Sequence, residues 1–146
     1  MSDAAALLPE LTFDSLAVGQ RFSESTQLLG REMVGDYAAA VYNTELAQVA
    51  GQPAGTDLSD PSLAILFAIP RRVLVRDGTM PPGGVLARQD FELHRPLRLG
   101  EAIRTLPSVA DKYEKRGRRY VQIRCELRDA SDAIIGHVDN YILWAR

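Results

Sequence analysis

Two histidines, one cysteine and a scatter of carboxylates are what this chain of 146 residues offers for proton transfer or nucleophilic attack. His94 closes a strand-like run between Glu92 and Arg95, a setting suited to acid–base work. The alternation of that run puts it on the polar face, where an exposed or structural histidine is the simpler reading. His137 has only Asp139 on the same strand face, a pair that serves equally as a surface contact. Cys125 falls on the apolar side of an alternating strand, far from any helix terminus, and reads as a small hydrophobe rather than a nucleophile. In the segment YNTEL, Glu45 is a conceivable base and Asn43 its polar neighbour, against the plainer reading of a solvated face and a polar kink. Gln89 stands on an otherwise apolar strand face and needs a hydrogen-bond partner there, either a ligand carbonyl or a structural group.

Other chemistries lack their residues. The histidines and the cysteine are too far apart in sequence for metal-ligand spacing, so no metal site is expected. Gly83-Gly84 has neither the lysine nor the helix of a phosphate-cradling loop. Net charge is −2, which gives no electrostatic case for nucleic acid. The basic residues Arg71, Arg72, Arg76 and those from Lys112 to Arg119 suit phosphate groups at a pocket mouth, or form a solvated face interleaved with Asp111 and Glu114. A single cysteine forms no intrachain disulfide, which with no signal-peptide pattern at the N-terminus points to the cytoplasm.

These residues need elements to hold them. Val34, Tyr37, Ala38, Val41 and Tyr42 recur at helical steps, predicting one long helix from Gly35 to Gly51, with Gly51 as its left-handed end. Tyr42 then faces a core or lines a pocket. Upstream, residues 1–11 read as a flexible leader and Arg21 to Leu29 as a strand. Downstream, Asp60-Pro61-Ser62 has the form of a helix start, and Pro70 ends or kinks the helix that follows. The second half is strands: Val85, Ala87, Phe91 and Leu93 alternate with Arg88, Asp90, Glu92 and His94. Val121, Ile123, Cys125 and Leu127 alternate more cleanly, and a last strand runs from Ile134 to Trp144. Pro107 suggests an edge or bulge in the strand from Ala102. With 46% hydrophobic and 25% charged residues, the chain suits a single domain over 1–146. Helices segregated from antiparallel strands make an α+β domain, a curved sheet wrapped around one long central helix, the hotdog arrangement.

The stretches LTFDSLAVGQRF, REMVGDYAAAVYN, QDFELHRPLRLGEAI and IIGHVDNYILW, in that order, resemble the MaoC-like hydratase/dehydratase group of hotdog proteins, in particular the N-terminal half of its two-domain members. The resemblance implies an acyl thioester on CoA or acyl carrier protein, bound at a dimer interface, with no other cofactor. In active members of that group an Asp and a His just after the Ala-rich turn add or remove water. Here that place reads VYNTELAQVAG: Asn43 or its neighbour falls near the Asp, and Leu46 to Gln48 fall where the His belongs. The dyad is missing from its usual place.

Three functions are therefore expected in competition. The first is a non-catalytic or partner-dependent acyl-thioester-binding subunit, in a homodimer or paired with an active MaoC-like chain. The second is an independent hydratase or thioesterase using displaced residues, with Asn43, Glu45 and His94 as catalytic candidates. The third is a dimeric binding or scaffold protein. The substrate-binding candidates are Tyr42, Gln89 and Arg88.

Overall fold

The computed structural model describes residues 7–146. Five antiparallel strands form the main sheet in the order β1-β5-β6-β7-β3: β1 (Ser25–Leu28), β3 (Val85–Leu93), β5 (Ala102–Lys115), β6 (Arg118–Arg128) and β7 (Ile134–Leu143). β2 (Asp57–Leu58) and β4 (Leu97–Arg98) make a small separate pair. The helices are α1 (Arg31–Ala40), α2 (Thr44–Val49), a 3₁₀ segment (Pro61–Phe67) and α3 (Pro70–Val73). The sheet has the antiparallel hotdog form expected of the sequence.

Strand alternation sorts the sheet into two faces. Val121, Ile123, Cys125 and Leu127 on β6 are fully buried, as are Ile103 and Val109 on β5 and Val138 on β7. The β5–β6 turn needs only Arg116-Gly117, both at positive φ, which matches the twist of a two-residue hairpin. On β3 a bulge at Ala87 shifts the alternation by one residue. Leu86, not Ala87, therefore joins Gln89, Phe91 and Leu93 on the inner face, and Val85 turns outward. Pro107 sits beyond the last rung of β1, where only its carbonyl is used, accepting from Phe22 N at 3.0 Å. This is the edge-like place its missing N–H requires.

The helical layer departs most from expectation. The run Gly35 to Gly51 is two helices, not one: Tyr42 adopts φ +57 and breaks it, and Asn43 caps α2 by accepting from Leu46 N at 3.0 Å. Val34 and Ala38 are buried, but Val41 and Tyr42 are 45% and 92% exposed. Gly51 does not end a helix, because α2 stops at Val49 with Ala50 in the right-handed region. The segment packed on β3, β4 and β7 is instead Pro61–Phe67, which buries Leu63, Ala64 and Phe67. It stays short for a local reason. Pro70 pushes Ile69 into extended backbone, so the helix stops and restarts as α3 with Pro70 in its first turn.

The first strand is also shorter than expected. Gly19 to Phe22 touch β5 through isolated backbone bonds, and regular pairing begins at Ser25. In the expected leader, residues 9–11 are pinned: Thr79 N donates to Pro9 O, Leu11 N to Thr79 O, and the Trp144 indole to Leu11 O at 2.7 Å. Residues 1–6 of that leader lie outside the described residues.

Candidate functional site

Where α1, α2 and the 3₁₀ segment meet, four polar side chains join. Asp60 caps the 3₁₀ segment: its Oδ1 accepts from Ser62 N at 3.0 Å and from Ser62 Oγ at 2.6 Å. Its Oδ2 accepts from Asn43 Nδ2 at 3.2 Å. Because the Ser62 proton goes to the carboxylate, the Tyr37 hydroxyl must donate to Ser62 Oγ, with which it makes a short hydrogen bond. The proton order is Tyr37 to Ser62 to Asp60. All four side chains are partly buried. Beside Tyr37 lies an open, mostly apolar hollow of about 520 Å³, lined by Met33, Ala40 and Leu66 together with the carboxylates of Glu32 and Asp36.

This arrangement positions groups; it does not relay a proton to and from neighbouring carbons. Hydration of a double bond needs one group to take a proton and another to give one. Here the cluster's one carboxylate already accepts three donors, and no histidine belongs to the cluster. Of the three residues where the resemblance places the histidine, Leu46 is fully buried and Ala47 and Gln48 are exposed.

The sequence candidates are placed as follows. Asn43 is the α2 cap and the Asp60 partner, so its amide is used at both ends. Glu45 is exposed in the first turn of α2. His94 is exposed just past β3, and its backbone N–H donates to Ile135 O at 2.8 Å. No hydrogen bond or ion pair joins any two of these three. Tyr42 stands outward at the helix break, clear of the core. Gln89 points inward and donates to Asn140 Oδ1 at 2.7 Å, while Asn140, fully buried, donates to Ala68 O. The partner the amide required is thus Asn140, which ties the edge strand to the helical layer. Arg88 lies on the outer face, bound to Asp90 at 2.8 Å and stacked 5.4 Å over Tyr141. Gln89 and Arg88 therefore point to opposite sides of the sheet, and the three substrate-binding candidates do not converge.

Sequence reasoning passed over Asp60, Ser62 and Tyr37. Asp-Pro-Ser was legible as a cap, but its link to Tyr37 spans 25 positions and has no local signature.

The outer face also carries a two-bonded ion pair. Arg124 grips Asp139 through two bonds, Nε to Oδ1 at 2.8 Å and Nη2 to Oδ2 at 2.9 Å. Burial pushes the Asp139 carboxyl up, but hydrogen bonds from Arg124 and Gln122 and the nearby cationic charge outweigh it and hold the group below its ordinary range. His137 Nε2 sits 3.7 Å from Asp139 and 3.9 Å from Glu92 of the neighbouring strand, an acid the sequence did not bring to it. On the inner face, burial and then the Asp139 charge push the Cys125 thiol up to about 12.

Neither a family model nor a curated protein matches the sequence. Solved structures do match the fold. The (R)-hydratase PhaJ1 from Pseudomonas aeruginosa superposes with a TM-score of 0.68 at 18% identity, covering 94% of this chain and 87% of that one. A MaoC-like dehydratase from Rhodospirillum rubrum gives 0.64 at 18%, covering 93% and 98%. A truncated HadBC (3R-hydroxyacyl-ACP dehydratase) complex from Mycobacterium tuberculosis gives 0.65 at 18%, covering 86% and 96%. The chain thus has the hotdog fold of the MaoC-like dehydratases and (R)-hydratases.

Proposed function

We propose that this chain is an acyl-thioester-binding hotdog subunit without its own hydratase dyad, acting beside an active hotdog subunit. The observation that carries the reading is the turn from Val41 to Leu46. That turn carries no histidine: it holds the exposed Val41 and Tyr42, the capping Asn43, the exposed Glu45 and the buried Leu46. The hollow next to Tyr37 suits an acyl chain by its apolar walls. The thioester, on CoA or acyl carrier protein, serves as substrate carrier and no further cofactor is invoked. A complex of two hotdog chains, as in the HadBC assembly, supplies the model for partnership.

Enoyl-CoA hydration measured for this chain alone, for a candidate active subunit and for their mixture tests the proposal. The expected result is no turnover alone and increased or redirected turnover in the mixture. Hydration by the chain alone would sink it, and loss of that activity in Asp60→Asn, Glu45→Gln or His94→Ala would identify the residue responsible. A ligand that binds only the folded state raises its melting temperature. Failure of both short and long acyl-CoAs to do so would favour a scaffold protein.

A further inference from the structure

The outer face of the sheet carries a cavity of about 500 Å³ between the β5–β6 hairpin and the start of β3, within the size range of small-molecule sites. Its walls are aromatic. Tyr113 and Tyr120, directly opposed across the hairpin, stack with ring centroids 5.3 Å apart and planes 16° from parallel. Tyr141 adds a third ring under the Arg88 guanidinium.

The rim is cationic. Lys115 and Arg118 stand directly opposite each other, a like-charge pairing that costs stability in a hairpin. Neither of them, nor Arg116 at the turn, has an ion pair among the described residues, although Arg119 next door reaches Glu114 at 3.3 Å. Arg88 is held by Asp90, which leaves one of its terminal nitrogens free and fixes its plane. No carboxylate lines the cavity. Flat aromatic walls beside uncompensated cations suit a ligand that has both a planar ring and a compact anion, since every nucleobase offers a π-face and phosphate accepts from several cations at once.

We infer that this cavity binds a nucleoside phosphate, with the base against Tyr113 and Tyr120 and the phosphates between Lys115 and Arg118. Burial, then the neighbouring tyrosines, raise the Tyr113 hydroxyl above its ordinary range, so it adds no negative charge to the cavity. The site is independent of the acyl reading. Tyr120, Tyr141 and Arg88 point outward, whereas their sequence neighbours Val121, Asn140 and Gln89 face the core, so the sheet separates this cavity from Ser62 and Tyr37.

Isothermal titration of the wild-type chain with ADP, adenosine, pyrophosphate and CoA tests it. ADP is expected to bind more tightly than adenosine or pyrophosphate. Tyr113→Ala should weaken ADP binding about 5- to 150-fold, given the ~1–3 kcal/mol of base stacking. Lys115→Glu with Arg118→Glu should abolish it, while the same charge reversal at Arg21, outside the cavity, leaves it unchanged. All these side chains are at least partly exposed, and circular dichroism checks that each variant is folded. If CoA displaces ADP, the nucleoside phosphate is that of the carrier; if not, it is a free nucleotide, and both results uphold the site. Pyrophosphate binding as well as ADP, no measurable heat at millimolar ADP, or a Tyr113→Ala variant that binds normally would each overturn it, leaving a diffuse basic patch.

Discussion

Asp60 serves the backbone before it serves any ligand, because its two oxygens cap the 3₁₀ segment and hold Asn43 across the cluster. Losing a cap costs about 1 kcal/mol, and releasing Asn43 adds to that. Asp60→Ala is therefore expected to lower stability by about 1–2 kcal/mol in urea titration. Asp139 makes a different prediction. Its folded pKa lies below its unfolded one, so the unfolded state binds more protons in acid. The stabilisation is complete above the ordinary carboxylate value of about 3.9 and drains away as pH falls through the lower folded value. Arg124→Gln should cost about 1–3 kcal/mol near neutrality and flatten the decline in stability below about pH 4, both read from urea midpoints. Cys125 moves the other way. With its folded pKa raised from 9.0 to about 12, it favours the folded state until pH rises through that window. An aromatic disulfide reagent at mildly alkaline pH should then label Cys125 only as fast as the chain opens. Immediate labelling of native protein would contradict its burial.

Among the elements, β6 was the most legible, because Val121 to Leu127 obey one periodicity from end to end and nothing interrupts it. The bulge at Ala87 was not, since alternation alone cannot show where a strand skips a residue. The break at Tyr42 was hidden for a similar reason. Apolar residues continue at helical spacing through Val41 and Tyr42, yet the backbone turns left-handed there and both side chains face solvent. The Pro61–Phe67 segment shows only its start in the sequence, at Asp60-Pro61-Ser62, because its packing on β3, β4 and β7 is long-range. The candidate site is hidden with it, because Asp60 and Ser62 start that segment and meet Tyr37 only through the tertiary fold. Asn tolerates positive φ better than Tyr, and Tyr42 buries little. Tyr42→Asn should therefore stabilise the fold slightly, by about 0.5 kcal/mol, read as a higher thermal midpoint. A loss of acyl-CoA binding in that stabilised variant would instead give Tyr42 a role at the ligand. Gly136→Ala should do the reverse. A Cβ there would lie 2.2 Å from Glu92 O and 3.0 Å from Leu93 Cα, so β3 and β7 must part at that end, at a cost of about 1–3 kcal/mol in the same measurement.

At the scale of the whole molecule, the sheet ends unequally. β1, at one edge, has four residues; β3, at the other, has nine, and among the described residues its only strand partner is β7. Half of its backbone groups therefore face outward without a strand to pair them, and Leu86 and Phe91 on its inner face are 47% and 40% exposed. Val85, turned outward by the bulge, is 54% exposed. Long edges with apolar side chains invite pairing with another chain, and a closed two-fold dimer is the commonest way to satisfy them. The subunit reading requires such a partner, which can be a second copy or another hotdog chain. Sedimentation of the chain alone at micromolar concentration should then show a dimer, and Leu86→Lys with Phe91→Lys should give a folded monomer, because both changes lie on exposed positions. A wild-type monomer that remains monomeric when mixed with candidate hotdog subunits would leave the β3 edge unpartnered, and the subunit function would fall with it. A dimer untouched by the two lysines would keep the partnership but move it to another surface.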